Sequence, residues 1–250
     1  RHGHPLGIGG TWHIEGIRQM MQRLSDLRLR KGLESIYITE DHSEQFIDVM
    51  DGMLVWHWSS GGLVPAFSAV YSDQVELFGR NYPLAEKLSE EDRKYARITF
   101  AEQMTFGDQL GWNVSFLKNS GRVQTDMDMY KQAIQLRYEY KEYYSHGRLC
   151  RPPKVACDAP DIVVHRTNDY HTNCLYGHPV TAGLRSHPVD GSKLLTIVNI
   201  TDQDQKCELF CDLPDGKIRL VGALQEILYV KNGKLTLTIP AFSTVMGISK

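Results

Sequence analysis

The chain has 250 residues, of which 42% are hydrophobic and 23% charged, a normal globular composition that can bury a substantial core in one or two domains. Its formal net charge of −2 argues against a nucleic-acid partner, because surfaces that bind nucleic acids carry a basic excess. No stretch approaches the roughly 18 uninterrupted apolar residues of a membrane helix, so we expect no membrane partner.

The first residues, RHGHPLGIGG, contain no initiator methionine, signal peptide or apolar h-region. We therefore expect a piece of a longer polypeptide, and no compartment is indicated. His2, His4 and His13 have no Asp or Glu at a matching spacing, which argues against a metal site. The glycines lack the Gly-Lys-Ser/Thr that completes a phosphate loop, so we expect no cofactor.

The first half of the chain alternates predicted helices and strands. Helical periodicity and capping signals predict helices over 13–30, 43–50, 89–107 and 125–147. Ser89 with Asp92, and Thr125 with Asp128, have the spacing of capping boxes. Nearly continuous apolar runs predict strands over 35–39, 52–58 and 63–71. Such runs are typical of parallel strands that are buried on both faces.

The second half is rich in short β-runs. Two successive prolines at 152–153 suit neither a helix nor a central strand, so we place a domain boundary at 151. The dipeptides Asp190-Gly191, Asp215-Gly216 and Asn232-Gly233 predict tight turns between strands. The segment 151–250 is therefore predicted to be an antiparallel β-sandwich.

The cysteines of this half are predicted to be reduced. There are five of them, an odd number that cannot pair fully within the chain. Cys207 and Cys211 would share one face of a strand at a separation of roughly 13 Å, which is too far for a disulfide. We expect buried thiols.

The segment 1–150 is too short for a complete barrel of alternating strands and helices. An eight-stranded (β/α)8 barrel usually takes about 250 residues, and three strands account for only part of one. The predicted fold class is therefore α/β plus all-β. It consists of the C-terminal part of a (β/α)8 TIM barrel, residues 1–150, followed by an antiparallel β-sandwich, residues 151–250.

Several segments together resemble the distal part of glycoside-hydrolase-like (β/α)8 barrels, mostly bacterial multidomain proteins with a C-terminal β-sandwich. They occur in the order that such barrels use and are GGTWHIEGIRQMM, IYITEDHSEQFIDVMDGMLVWHW, VPAFSAVYSDQVELFGR, EQMTFGDQLGW and LRYEYKEYYSHGRLCRPPKV. The resemblance implies that the predicted strands are the sixth, seventh and eighth of a barrel. It also implies that the proximal half, where many such families keep the nucleophile, lies outside this chain.

The resemblance implies a catalytic role for Glu40, which follows the strand 35–39. Glycoside hydrolysis uses two carboxyl groups, and in similar barrels the acid/base follows the sixth strand. Glu40 is the candidate acid/base, and its partner is expected outside this chain. Asp73 is a second candidate carboxylate, although Ser-Asp is also common turn chemistry. Asp41 is a candidate substrate ligand, but its spacing to Glu44 favours a helix N-cap.

Aromatic and imidazole side chains complete the predicted site. Sugars present flat apolar faces that aromatic rings bind, so we name Trp12, Trp58 and Tyr71 as substrate-binding candidates. Alternation puts Trp56 and Trp58 on one face of their strand and His57 on the other. His57 is a candidate donor to a sugar hydroxyl or a satisfied histidine at the rim.

Three hypotheses follow for the function of the chain. The first is a glycoside hydrolase fragment that acts on an oligosaccharide or glycoside. The second is a non-catalytic carbohydrate-binding or assembly module. The third concerns assembly: a half-barrel exposes unpaired strand groups, so it should meet its missing N-terminal half or self-associate.

Overall fold

The computed structural model describes residues 12–40, 43–55, 65–80, 89–111, 124–167 and 172–249. Four short strands form a parallel sheet in the order β1-β2-β3-β4, namely β1 (Ile38–Thr39), β2 (Gly52–Val55), β3 (Glu76–Arg80) and β4 (Gln109–Gly111). Helical segments lie before and between them, namely α1 (Trp12–Lys31), a 3₁₀ helix (Glu44–Phe46), α2 (Ala66–Tyr71) and α3 (Glu90–Phe106). We call this part, 12–111, the parallel region.

One predicted strand is wrong. The run 63–71 was expected to be the third strand, but its described part contains helix α2, preceded by Pro65 at the N-cap position. The third strand is β3, which begins five residues after α2 ends. A short apolar run has no period long enough to separate a strand from a buried helical turn, so tertiary packing decides between them.

Helix α1 confirms the predicted helix over 13–30, but its apolar stripe is not a core face. Of its apolar residues Met21 is buried, whereas Met20, Leu24 and Leu27 are exposed. Such a stripe normally faces a core. None of the helices within the described residues is both long and apolar enough to cross a membrane.

Helix α3 begins and ends where the sequence predicts. The Ser89 hydroxyl accepts from the Asp92 N–H and the Asp92 carboxylate accepts from the Ser89 N–H, which completes the capping box. Gly107 ends the helix at a φ of 89°, a left-handed conformation that glycine adopts without strain. The second predicted capping box is wrong, because Thr125 already lies inside helix α4 (Gln124–Glu139).

The tyrosine-rich segment forms α4 and the short helix α5 (Lys141–Ser145). Both helices pack on the antiparallel sheets that follow, and Tyr130, Tyr143 and Tyr144 are buried in the shared core. Tyr138 is exposed. These three tyrosines therefore belong to the core between the helices and the antiparallel sheets.

The C-terminal region is antiparallel. A six-stranded sheet has the order β13-β12-β15-β10-β9-β5, a three-stranded sheet the order β14-β11-β6, and β7 pairs with β8. Their bounds are β5 (Arg148–Leu149), β6 (Lys154–Cys157), β7 (Ile162–Thr167), β8 (Thr172–Gly177), β9 (Val180–Ser186), β10 (Lys193–Asn199), β11 (Gln205–Phe210), β12 (Gly216–Gly222), β13 (Ile227–Val230), β14 (Lys234–Ile239) and β15 (Ser243–Ser249). The antiparallel runs predicted from the sequence are confirmed as strands. We call 148–249 the antiparallel region.

One core joins the six-stranded and three-stranded sheets. Leu184 and Ile197 from the larger sheet belong to the same buried cluster as Leu209 and Leu237 from the smaller one. Alternate residues of β14 are buried, as expected for a strand with one face on a core. The opposite face of the six-stranded sheet carries α3, α4 and α5 through a second cluster. The antiparallel region thus packs on both faces of its larger sheet.

The predicted turns differ in outcome. Asn232 and Gly233 have φ of 52° and 68°, and two backbone hydrogen bonds of 3.0 Å between Lys231 and Lys234 close the turn. This confirms the Asn-Gly turn. Asp190-Gly191 lies between the paired strands β9 and β10, which is also as predicted. Asp215-Gly216 instead precedes β12, and β11 and β12 belong to different sheets.

All five cysteines are free thiols, as the sequence predicts. Cys207 is fully buried and lies directly opposite Cys157 in the β11–β6 register. Burial, together with the neighbouring Cys157 thiol, raises the pKa of Cys207 to about 12. Cys207 is therefore a packing residue at physiological pH.

Candidate active site

Glu40 lies at the carboxyl edge of the parallel sheet. It follows β1 directly, and its side chain is exposed. Because all four strands run parallel, their carboxyl ends meet at the same edge of the sheet. In (β/α)8 barrel enzymes this edge carries the catalytic groups. Glu40 therefore lies at the edge of the sheet where the sequence predicts it.

The environment of Glu40 differs from the expected one. We expected Glu40 to follow a buried strand, and this is wrong. Ile36 and Ile38 are 75% and 58% exposed, and β1 pairs on one side with β2 while no described strand lies on its other side. An edge strand of this kind exposes backbone N–H and C=O groups to any additional strand.

Asp73 lies at the other edge of the sheet. It is in the turn between α2 and the amino end of β3, because the predicted strand before it is a helix. Its carboxylate accepts a hydrogen bond of 2.9 Å from the Arg148 guanidinium. Asp73 and Glu40 therefore lie at opposite edges of the sheet, and Asp73 binds an arginine that begins the antiparallel region.

Tyr71 is also at the amino side of β3. It is the last residue of α2, and its ring packs against Phe67 with 4.9 Å between centroids. Burial and a hydrogen bond to the Glu44 carboxylate raise the pKa of the Tyr71 phenol. The expectation that Tyr71 ends a strand at the carboxyl edge is wrong for the same reason as for Asp73.

Trp12 begins helix α1. Arg18 of the same helix donates to Asp48, downstream of β1, at 2.7 Å. Further along the helix, Arg28 binds Asp51, at the amino end of β2, at 3.0 Å. Both ion pairs therefore join α1 to the segment between β1 and β2.

The remaining predicted residues are outside the described part of the chain. Asp41, His57 and Trp58 fall in this group. The 3₁₀ helix after β1 begins at Glu44 with Ser43 at its N-cap position, two residues later than an Asp41 cap requires. Within the described ranges, no three His, Cys, Asp or Glu side chains form a group that could hold a metal ion.

A buried ionic network at the amino edge was not predicted. Glu76 begins β3 and Asp108 immediately precedes β4, so both lie at the edge opposite Glu40. The Arg137 guanidinium is 3.7 Å from the Glu76 carboxylate, and the Ser68 hydroxyl lies 3.0 Å from the Asp108 carboxylate. Burial raises the pKa of Glu76, an effect that outweighs the attraction of Arg137.

Arg185 of β9 links this network to the antiparallel region. Its guanidinium is buried and donates to the carbonyls of Phe106 at 2.9 Å, Tyr143 at 2.7 Å and Gly147 at 2.7 Å. The Tyr144 ring lies between two cations, with centroid distances of 4.3 Å to Arg137 and 5.7 Å to Arg185. In barrels the amino edge serves stability. We therefore interpret the network as a structural junction.

A cavity of about 730 Å³ lies between α3 and the strands β6 and β9. Its wall is largely apolar, and its polar members include Glu102, Lys154 and His178, whose Nδ1 lies 2.7 Å from the Asp161 carboxylate. None of the predicted site residues that the structure describes, Trp12, Glu40, Tyr71 and Asp73, lines this cavity. It belongs to the packing between the two regions, away from the carboxyl edge.

Comparison with known proteins gives a fold and no activity. A family model described as a domain of unknown function, DUF6259, matches residues 1–82. Among curated proteins, none matches the chain significantly.

Solved structures of glycoside hydrolases are similar to the chain. A maltogenic α-amylase, AmyB, from Thermotoga neapolitana has a TM-score of 0.53 and 14% identity over 97% of this chain and 60% of the amylase. A GH51 α-L-arabinofuranosidase from Thermotoga petrophila has a TM-score of 0.47 and 13% identity over 100% of this chain and 65% of the arabinofuranosidase. A GH30 endoxylanase from Clostridium papyrosolvens has a TM-score of 0.46 and 9% identity over 96% of this chain and 61% of the endoxylanase.

The likeness to the amylase shows that the chain has a glycoside-hydrolase-like fold. At 14% identity it shows the fold alone. The chain spans about three fifths of the length of the amylase and of the endoxylanase.

Proposed function

We propose that residues 1–250 form a glycoside-hydrolase-related unit in which Glu40 is the general acid/base. The observation that carries the proposal is the position of Glu40, exposed at the carboxyl end of β1 in a parallel sheet. The glycoside-hydrolase-like fold supports it. In this proposal the segments 1–150 and 151–250 are the partial barrel and its C-terminal β-sandwich.

The chemistry requires a second carboxyl group near Glu40. The two groups lie about 5–5.5 Å apart in retaining enzymes and about 6.5–9.5 Å apart in inverting ones. Asp73 lies at the opposite edge of the sheet, so it does not meet this requirement. We propose that the partner carboxylate comes from polypeptide outside residues 1–250.

The free edge of β1 is where that polypeptide would attach. Further strand-helix units would pair with β1 and cover the exposed apolar residues of α1. Parallel sheets are normally covered on both faces, which the described part of this sheet does not achieve. A second copy of the chain is the competing occupant of the same edge.

The substrate in this proposal is an oligosaccharide or glycoside. Trp12 begins helix α1 and stays a predicted aromatic platform for a sugar ring. Trp58, His57 and Asp41 follow predicted strand ends and stay predictions for the same subsite.

The test is Glu40→Gln in the longest polypeptide that carries this chain, assayed on two substrates that differ in their leaving group. A glycoside with an alcohol leaving group needs protonation, so its kcat/KM should fall roughly 10²–10⁴-fold. An activated nitrophenyl glycoside needs little protonation, so its bond-cleavage step should change much less. Binding of the intact oligosaccharide should be retained.

Glu34→Gln is the matched control. Glu34 is an exposed glutamate that precedes β1, so the substitution removes the same charge at the other end of the strand. Its kinetics should equal those of the parent. Equal losses on both substrates, or full activity of Glu40→Gln, would refute the acid/base assignment. A parent protein that binds sugar without turnover would support the non-catalytic module.

A further inference from the structure

A groove of about 560 Å³ lies on the antiparallel region, where the edge strands β13 and β14 are joined by the Asn232-Gly233 turn. Two aromatic side chains line it, Phe210 at 44% exposure and Tyr229 at 66%. Large exposed aromatic rings beside one groove are uncommon on a surface that has no binding role, because their burial is strongly favourable.

The strand registers explain why both rings face outward. Phe210 ends β11 opposite Lys234, and the preceding Leu209 faces the core. Tyr229 lies opposite Lys217, and the next residue, Val230, faces the core. Side chains alternate between the faces of a strand, so these two rings stand on the solvent side. The backbone of the three-stranded sheet therefore fixes Phe210, and that of the six-stranded sheet fixes Tyr229.

The polar members of the groove are also held by the backbone. The two hydrogen bonds between Lys231 and Lys234 close the turn, and the Cys211 N–H donates to the Gly233 carbonyl at 2.8 Å. This turn presents Asn232 to the groove, beside Lys231 and Thr236. An amide, an ammonium group and a hydroxyl thus border the aromatic rings.

Existing contacts of the rings are weak enough to be displaced. The Lys234 and Lys217 ammonium groups lie 5.6 Å and 5.9 Å from the centroids of Phe210 and Tyr229. These distances are near the limit of a cation–π contact, and exposed contacts contribute only about 0.5–1 kcal/mol. Lys234 also pairs with Glu208 at 2.8 Å, which holds its ammonium group at the groove rim.

We propose that this groove binds an oligosaccharide, with sugar rings stacked on Phe210 and Tyr229. Sugars combine flat C–H faces, which aromatic rings accept, with hydroxyl groups, which the amide, hydroxyl and ammonium groups can bind. A stable protein partner would cover roughly 800 Å² per side, more than three exposed apolar side chains, Phe210, Ile227 and Tyr229, can offer. The site goes beyond the proposed activity and does not require Glu40.

The role of such a site is to hold a glycan on the antiparallel region while chemistry occurs elsewhere. It lies on β11, β13 and β14. None of these strands is hydrogen-bonded to a strand of the parallel sheet. Two separate contacts on one polymer raise the effective concentration of the second contact. Loss of this site should weaken action on long glycans and spare short glycosides.

The test is a titration of the isotope-labelled chain with cellohexaose, maltohexaose and hexagalacturonic acid, followed by NMR chemical shifts. We expect at least one neutral hexasaccharide to shift the amides around 210, 229 and 232. Tyr229→Ala should weaken this binding roughly tenfold, the effect of losing about 1.4 kcal/mol of stacking. Phe210→Ala should act in the same direction, and circular dichroism should confirm that both variants fold.

Tyr138→Ala is the matched control. Tyr138 is 72% exposed and has Lys141 at 5.6 Å from its centroid, so it reproduces the exposed Tyr–Lys pair without the groove. Its affinity should equal that of the parent. Glu40→Gln should also bind normally, which separates this site from the proposed activity.

Three outcomes would overturn the proposal. One is the absence of shifts at the groove with every hexasaccharide. Another is binding confined to hexagalacturonic acid and abolished by high salt, which would identify an anion site on the lysines. The last is a concentration-dependent mass that Tyr229→Ala abolishes, which would identify a second copy of the chain as the occupant.

Discussion

The two regions of the molecule bury their apolar residues to very different extents. In the antiparallel region, the larger sheet carries one core against the smaller sheet and another against α4, α5 and the helix α3 of the parallel region. In the parallel region, the cluster within the sheet consists of Met53, Val75 and Leu77. Helix α1 and strand β1 leave most of their apolar residues in solvent.

This difference reflects how the two kinds of sheet are completed. An antiparallel sheet can be closed by local connections and one facing layer, whereas a parallel sheet needs cover on both faces. The antiparallel region has its facing layer within the chain. The described part of the parallel region has less cover and depends on its junction with the antiparallel region through Arg185. Variants can test this dependence.

The largest effect is expected from Arg185→Met, which removes the cation at the junction. Three short hydrogen bonds to buried carbonyls would be lost, and those acceptors would stay unpaired. We expect a loss of about 3–5 kcal/mol of unfolding free energy, measured by urea denaturation. Arg219→Met, on the exposed face of β12, should lose about 0.5 kcal/mol or less. Similar losses for both variants would contradict the junction.

A smaller loss is expected from Gly183→Ala, where α3 packs on β9. A Cβ at this position would lie 2.1 Å from the Thr105 carbonyl oxygen, a backbone atom that cannot move alone. We expect a loss of about 1–3 kcal/mol in thermal or urea unfolding. The same change at Gly16, in helix α1, meets no neighbouring atom and should gain about 0.5–1 kcal/mol. A neutral Gly183→Ala would show that the helix can shift freely.

The ionisation of Glu76 should make the junction pH-dependent. Burial raises the pKa of Glu76, and the other charges that face it are Arg137, Arg185 and Asp108. A raised pKa favours the protonated folded state, so this stabilisation is complete below the ordinary pKa of Glu and is lost as pH rises through the folded pKa. The stability of the parent relative to Glu76→Gln should therefore fall as pH rises across this window.

Urea unfolding at a series of pH values measures this difference. Glu34→Gln, an exposed glutamate at the amino end of β1, gives the reference for a carboxyl group in solvent. If the unfolding free energy of the parent, relative to that of Glu76→Gln, rose with pH, the predicted direction would be wrong.

The smallest effect on stability is expected from Leu29→Lys combined with Ile36→Lys, at the open side of the parallel region. Both side chains are exposed, so unfolding free energy should change by about 0.5 kcal/mol or less. Self-association should weaken because the apolar patch is broken, which sedimentation velocity over a concentration series can detect. Val189→Lys, an exposed apolar position in the β9–β10 turn, is the control and should leave association unchanged.

Local chemistry was predictable from the sequence at two places, although the capping box predicted at Thr125 and Asp128 was wrong. The Ser89–Asp92 capping box and the Asn232-Gly233 turn depend on neighbouring residues alone, and both were predicted correctly. The strand predicted over 63–71 depended on which apolar run would pack into the sheet. A second run, which forms β3, follows it along the chain, and contacts with distant residues place that run in the sheet instead.

Of the candidate site, the sequence predicted where Glu40 lies, and its catalytic role stays a prediction. Its position after β1 follows from chain order, whereas the exposure of β1 depends on contacts that are distant in the chain, and no described strand lies on the outer side of β1. Arg185 was missed because it lies near the end of a β-run, where a charged residue normally faces solvent. In the structure, burial is continuous over residues 182–185 of β9, and Arg185 lies opposite the buried Leu194 in register.

Arg185 also acts as a shared helix cap. Phe106 is the last residue of α3, and Tyr143 and Tyr144 lie in the last turn of α5. One guanidinium therefore donates hydrogen bonds to carbonyl groups at the ends of two helices. A positive charge there also complements the negative ends of both helix dipoles. Neither helix end can fray without losing the same partner as the other. Fraying at the two ends should therefore be cooperative, although α3 and α5 are separated by more than thirty residues of chain.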